Sequence, residues 1–129
     1  QFVEMRLAAL IHKPRLGPTA MPALRVLEMA TLGGAAAVCM EDEIGSIEPG
    51  KKADIVMLDL RKPHASPRAC VDPVSQVVYS AHSADVVMTM VDGKVVYSGG
   101  QLATMDEIEV LDRCDTAIVR LARRAGLVQ

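Results

Sequence analysis

The side chains in this sequence able to ligate a metal or attack a substrate are three histidines, three cysteines, an acidic run and a few serines. A catalytic zinc needs about three protein ligands and an open position whose water is acidified to a pKa of about 7. His12, His64 and His82 are the only histidines and fall into no known ligand spacing. His64 stands between two prolines, where a loop is expected. His12 stands at the end of a predicted helix, where it can interact with the C-terminal dipole. Cys39, Cys70 and Cys114 are odd in number, widely spaced and free of any Cys-x-x-Cys pair, which points to a reducing, cytoplasmic setting. Cys39 and Cys114 lie in apolar surroundings and read as inert core thiols. Glu41-Asp42-Glu43 lacks the Gly-centred spacing of a calcium loop and reads as a solvated turn. Ser75 and Ser80 lack the context of a nucleophile elbow. Gly33-Gly34 is followed by no phosphate-binding glycine pattern and suits close helix packing. On this reading no residue is assigned as catalytic, cofactor-binding or metal-ligating.

The elements that would position these groups fall into three stretches. Residues 1–43 are helical in pattern. Phe2, Met5, Ala8 and Ala9 share one side of a helix over Phe2 to His12, ended by Pro14 and Gly17. No capping side chain precedes it and the chain does not open on Met, so its natural start is expected upstream. A second helix follows, with Pro22 in its first turn and Leu24, Leu27, Glu28 and Thr31 behind it. Gly33-Gly34 is expected to interrupt it before a short Ala-rich turn to Met40.

Residues 44–104 change character, with β-branched runs between Gly and Pro. Pro49-Gly50 suits a type II turn. Ala53 to Leu60 is a predicted strand, and its apolar run Ile55-Val56-Met57-Leu58 suggests cover on both faces. Lys62 to Val71 is an expected extended loop. Asp72-Pro73 opens a short helix to Tyr79. Val86 to Val91 and Lys94 to Tyr97 flank Asp92-Gly93, the signature of a type I′ hairpin. Residues 105–129 form a last helix with a capping box at Thr104-Met105-Asp106-Glu107. It is expected to dock through Ile108, Leu111, Cys114, Ile118, Leu121 and Ala125.

Composition narrows the class further. The 129 residues are 50% hydrophobic, enough to collapse, while aromatics are 2%, so the core rests on aliphatics and eight methionines. Net charge is −2, with no basic stripe to track phosphates, which argues against nucleic-acid binding. No apolar run is long enough to span a bilayer. A complete (β/α)8 barrel takes roughly 250 residues, so this chain can hold only part of one.

Several segments in order carry a family resemblance. They are Glu4-Met5-Arg6-Leu7-Ala8, Met29-Ala30-Thr31, Gly34-Ala35, the run from Glu43 to Val56, Asp72-Pro73-Val74-Ser75, Val78-Tyr79-Ser80-Ala81 and Val91-Asp92-Gly93-Lys94. Together they resemble metal-dependent amidohydrolases of the aminohydrolase/deaminase type, including methylthioadenosine/S-adenosylhomocysteine deaminases and triazine hydrolases. Gly17 departs from the acidic residue expected before the proline in many relatives.

The resemblance implies an α+β segment: the last helices of a (β/α)8 TIM barrel (1–43), the C-terminal part of a small β-sandwich (44–104) and a terminal helix (105–129). It implies a C–N hydrolase, deaminating a purine-like or heteroaromatic ring with metal-activated water. The family's ligands, a His-x-His, further histidines and an Asp, match no position here. The expected metal, zinc or another divalent ion, thus belongs to a full-length member and not to this chain, which alone is expected to be inactive. Its expected partner is the missing barrel. Two rival expectations are a non-catalytic remnant that self-associates and one chain of a split enzyme.

Overall fold

The computed structural model describes residues 1–128. Its first layer is helical: α1 (Phe2–Ile11), α2 (Lys13–Leu16), α3 (Ala23–Ala30) and α4 (Leu32–Ala37). Met5 and Ala9 of α1 and Ala23 and Val26 of α3 meet Val78 of a later helix, α5 (Pro73–Tyr79), in one buried cluster. The spacing that places Met5 and Ala9 on one face therefore does what it predicts, and Phe2 and Ala8 flank it, partly buried.

Two details of the helical layer differ from expectation. Pro14 does not end helix formation but sits in the first turn of α2, where its missing amide costs nothing; Gly17, at φ 92°, stops the chain. Gly33 and Gly34 lie inside α4. The interruption comes at Thr31 (φ −114°, ψ −83°), whose hydroxyl donates to the Leu27 carbonyl at 2.8 Å. Gly45 explains a close approach, since a Cβ there would lie 2.8 Å from that of Ala35 and φ is already +92°.

The second layer is a four-stranded antiparallel sheet in sequence order: β1 (Ile55–Leu58), β2 (Val86–Val91), β3 (Lys94–Ser98) and β4 (Gln101–Leu102). Asp92 and Gly93 both have positive φ (49° and 75°), the requirement of the type I′ turn. Gly50 has φ 95° and the Lys51 amide donates to Glu48, as a type II turn demands. Among the described residues, β1 lacks the expected cover on both faces. It is an edge strand, and Val56 and Met57 are exposed.

The segment from Lys62 to Val71 is not wholly extended, because Pro63–Ala65 forms a 3-10 turn. After it, Asp72 caps α5 as its sequence predicts, accepting from the Val74 and Ser75 amides and from the Ser75 hydroxyl. Asp72→Ala should cost about 1 kcal/mol in urea unfolding, the usual worth of such a cap, and Asp72→Asn much less.

The last helix, α6 (Glu107–Arg124), is capped by Asp106, which accepts from Ile108 and Glu109, and not by Thr104. Its amphipathic stripe does not dock. Ile108, Leu111, Ile118 and Leu121 are all exposed, and no α6 residue is buried. The stripe fixes which face is apolar, and nothing in the described residues lies over it.

Candidate functional site

The residues that come together are His64, His82 and Asp85, joined by Lys62, and the fold brings them there for a simple reason. Leu58 at the end of β1 pairs with Val86 at the start of β2. In an antiparallel pair, the chain leaving one strand must run beside the chain entering the other. The Asp59 amide accordingly donates to the Asp85 carbonyl at 2.8 Å. The 3-10 turn with His64 then falls against a second 3-10 turn, Ser83–Asp85, that begins after His82.

Asp85 is fully closed to solvent while the imidazoles of His64 and His82 face outward, 4.2 Å apart and tilted by 30°. One carboxylate oxygen, Oδ2, accepts from the His82 amide at 3.0 Å and lies 2.9 Å from His64 Nε2 and 3.6 Å from His82 Nδ1. The other, Oδ1, has the Lys62 ammonium 3.2 Å away, too poorly aligned for a hydrogen bond. Lys62 donates instead to the Ala84 carbonyl at 2.6 Å. Burial alone would raise the pKa of Asp85. The His82 amide, the His64 ring and the Lys62 ammonium outweigh it and hold the carboxyl at about 2.

Asp85 is not found by spacing along the chain because two of its partners, Lys62 and His64, lie across a strand pairing. The available signal was His82-Ser83-Ala84-Asp85, a capping pattern immediately before a β-branched run. His64 is more than a loop residue, since it sits within the turn and bonds to a buried anion. His12 lies at the C-cap of α1, as expected, exposed and apart from the others.

The other singled-out groups do not assemble. Glu43 forms an ion pair with Lys52, and Lys51 donates to the Glu41 carbonyl and the Ser46 hydroxyl, so the acidic run is a tied-down turn. Ser75 serves the α5 cap. The thiols require a correction: Cys39 and Cys114 are exposed, as is Cys70. Cys39 turns out of the α4 terminus at φ 57°, and Cys114 lies on the uncovered stripe of α6. The open depressions lined by residues such as Asp115, Val119, Arg120 and Arg124 run along α6 alone and are flanks of one helix, not a cleft. No helix among the described residues is long and apolar enough to cross a membrane.

The pattern of the amidohydrolase family matches residues 2–96. The 5'-deoxyadenosine deaminase of Methanosarcina acetivorans is 46% identical over 126 residues, covering 97% of this chain and 28% of that protein. The 5-methylthioadenosine/S-adenosylhomocysteine deaminase of Acetivibrio thermocellus is 47% identical over 110 residues, 84% of this chain and 25% of that protein. Among solved structures, a zinc-bound adenosine deaminase from Xanthomonas campestris superposes with a TM-score of 0.87 at 35% identity, covering 95% of this chain and 28% of its own. Zinc-bound atrazine chlorohydrolase from Arthrobacter aurescens gives 0.77 at 25% identity, over 89% of this chain and 25% of its own. This chain thus spans little more than a quarter of the length of these relatives.

Proposed function

Because the chain belongs to the amidohydrolase family, we propose that it is scaffold of a metal-dependent deaminase acting on an adenosine-like or other heteroaromatic ring. One observation carries this reading: 46% identity to a 5'-deoxyadenosine deaminase over 97% of the chain. In this reading 1–43 supplies the last helices of a (β/α)8 barrel, 44–104 part of a β-sandwich and 105–129 a terminal helix. The exposed Val3, Leu7, Ile11, Leu24 and Leu32 then face the rest of the barrel.

The residues present do not furnish the family's metal site. No His-x-His occurs, and His12 lies apart from the other two histidines. No catalytic step is therefore assigned to this chain, whose part is to pack against and hold the polypeptide that carries the chemistry.

The test is complementation. The chain alone, with zinc and 5'-deoxyadenosine or S-adenosylhomocysteine, should release no ammonia. Mixed or co-expressed with the portion of the Methanosarcina acetivorans deaminase that precedes the matched segment, it should restore ammonia release well above either piece. Release by the chain alone, or none on mixing despite a stable complex, would sink the scaffold reading. A second reading is favoured by the uncovered α6 stripe: the chain pairs with itself to cover those faces. A light-scattering mass of twice the monomer or more, with no binding of the deaminase piece, would establish it instead.

A further inference from the structure

We propose that His64, His82 and Asp85 form a binding site for a first-row transition-metal dication of the zinc, cobalt or nickel class. The ligand atoms are Nε2 of His64, Nδ1 of His82 and Oδ2 of Asp85, which lie within 4.8 Å of one another. Two imidazoles and one carboxylate are a donor set suited to such borderline ions and ill suited to calcium or magnesium, which take oxygen ligands.

The two pairs that include Oδ2 already lie close to the spacing a metal needs, and the two ring nitrogens lie within 4.8 Å of each other. Bonds of about 2.0–2.2 Å in a tetrahedral site put ligand atoms about 3.3–3.5 Å apart. The distances to Oδ2 in the fold, 2.9 Å from His64 and 3.6 Å from His82, bracket that spacing. Asp85 is the fixed member, buried and already ionised, whereas the two rings reach solvent and can turn to close on an ion.

Protonation also favours the site. The His82 side chain accepts from the Asp85 amide in the cap of its 3-10 turn, an arrangement that calls for a ring nitrogen without a hydrogen, as a metal does. That amide also donates to the His82 carbonyl at 3.0 Å, so an ion can take the Nδ1 lone pair without orphaning it. Binding at Nε2 of His64 puts its ring hydrogen on Nδ1. Lys62 opposes the ion by charge but lies against Oδ1, so it does not occupy Oδ2, where the His82 amide bond can remain beside an ion.

The experiment is a Co²⁺ titration of the 129-residue chain, chosen because thiolate ligation adds intense near-ultraviolet charge-transfer absorption that nitrogen and oxygen ligands lack. That distinction matters with three exposed cysteines in the chain. The expected result is one ion per chain without those bands and a loss of at least about tenfold in affinity for His82→Gln, with His12→Gln unchanged. Lys62→Gln should bind several-fold more tightly, a like charge having been removed. Zn²⁺ followed by NMR of the unmodified chain gives a readout that needs no variant, with the imidazole signals of His64 and His82 shifting together and that of His12 staying put. Charge-transfer bands at one equivalent, His82→Gln binding as tightly as the parent, or Zn²⁺ leaving both imidazoles unmoved would each overturn the proposal.

Discussion

Asp85→Ala should destabilise the chain by on the order of 3 kcal/mol, read as a fall in the urea midpoint followed by far-ultraviolet circular dichroism. The carboxylate gathers the His82 amide, the His64 ring and the Lys62 ammonium around one buried point. Removing it leaves these donors facing each other over a void, with two basic rings 4.2 Å apart and no anion between them. The expected loss lies at the lower end for a broken buried pair because Lys62, His64 and His82 all reach solvent and regain some hydration. The effect should depend on pH with a definite sign. Asp85 is held at about 2 in the folded chain, below the value of about 3.9 for an unfolded aspartate. Its depressed pKa stabilises fully above the unfolded value, and the stabilisation is lost as pH falls through the folded one. The gap between parent and Asp85→Ala should therefore narrow as pH falls from about 5 toward 2. A gap that persists undiminished at pH 2 would mean that the charge on Asp85 is not what holds the cluster.

The same cluster marks the boundary of what the sequence makes legible. Features governed by neighbours along the chain were readable. Asp92-Gly93 adopts the two positive φ values of its turn, Gly50 adopts the one it needs, and Asp72 caps α5 with the amides two and three residues on. Features governed by what packs against what were not. Four apolar residues in β1 are compatible with a central or an edge strand, and only the pairing order places them at the edge. A stripe every three or four residues fixes the apolar face of α6 but carries no information on what covers it, so docking and the burial of Cys114 could not follow. His64 and Asp85 belong to this second kind. They meet because Leu58 pairs with Val86, a register set by the whole sheet and not by any local spacing.

Val78→Asp should be the most damaging single change in the helical layer, costing on the order of 4 kcal/mol or more. Val78 is fully buried and α5 is the element that closes α1 against α3, with Met5, Ala9, Ala23 and Val26 around that side chain. A carboxylate there would be set among Met5, Ala9, Ala23 and Val26 and would have to be protonated or pulled out of that cluster. Val78→Ala, which removes two methyl groups but adds no charge, should cost about 2 kcal/mol. The two layers should then respond differently. The opposite side of α5 is tied to the turn beside His64 by the buried Gln76 side chain, which donates to the Ala65 carbonyl at 2.8 Å, and Arg6 of α1 donates to the Ala81 carbonyl at 2.9 Å. Displacing α5 should loosen both ties and expose the amides of α1 and α3, while the β2–β3 ladder keeps its own cross-strand bonds. Hydrogen exchange of Val78→Asp should show fast exchange in Met5 to Ala9 and Val26 to Ala30 with Met88 to Met90 still protected. Equal loss of protection in both layers would mean that the sheet depends on the helices for its order, and protection retained in α1 and α3 would mean that α5 does not close them in solution.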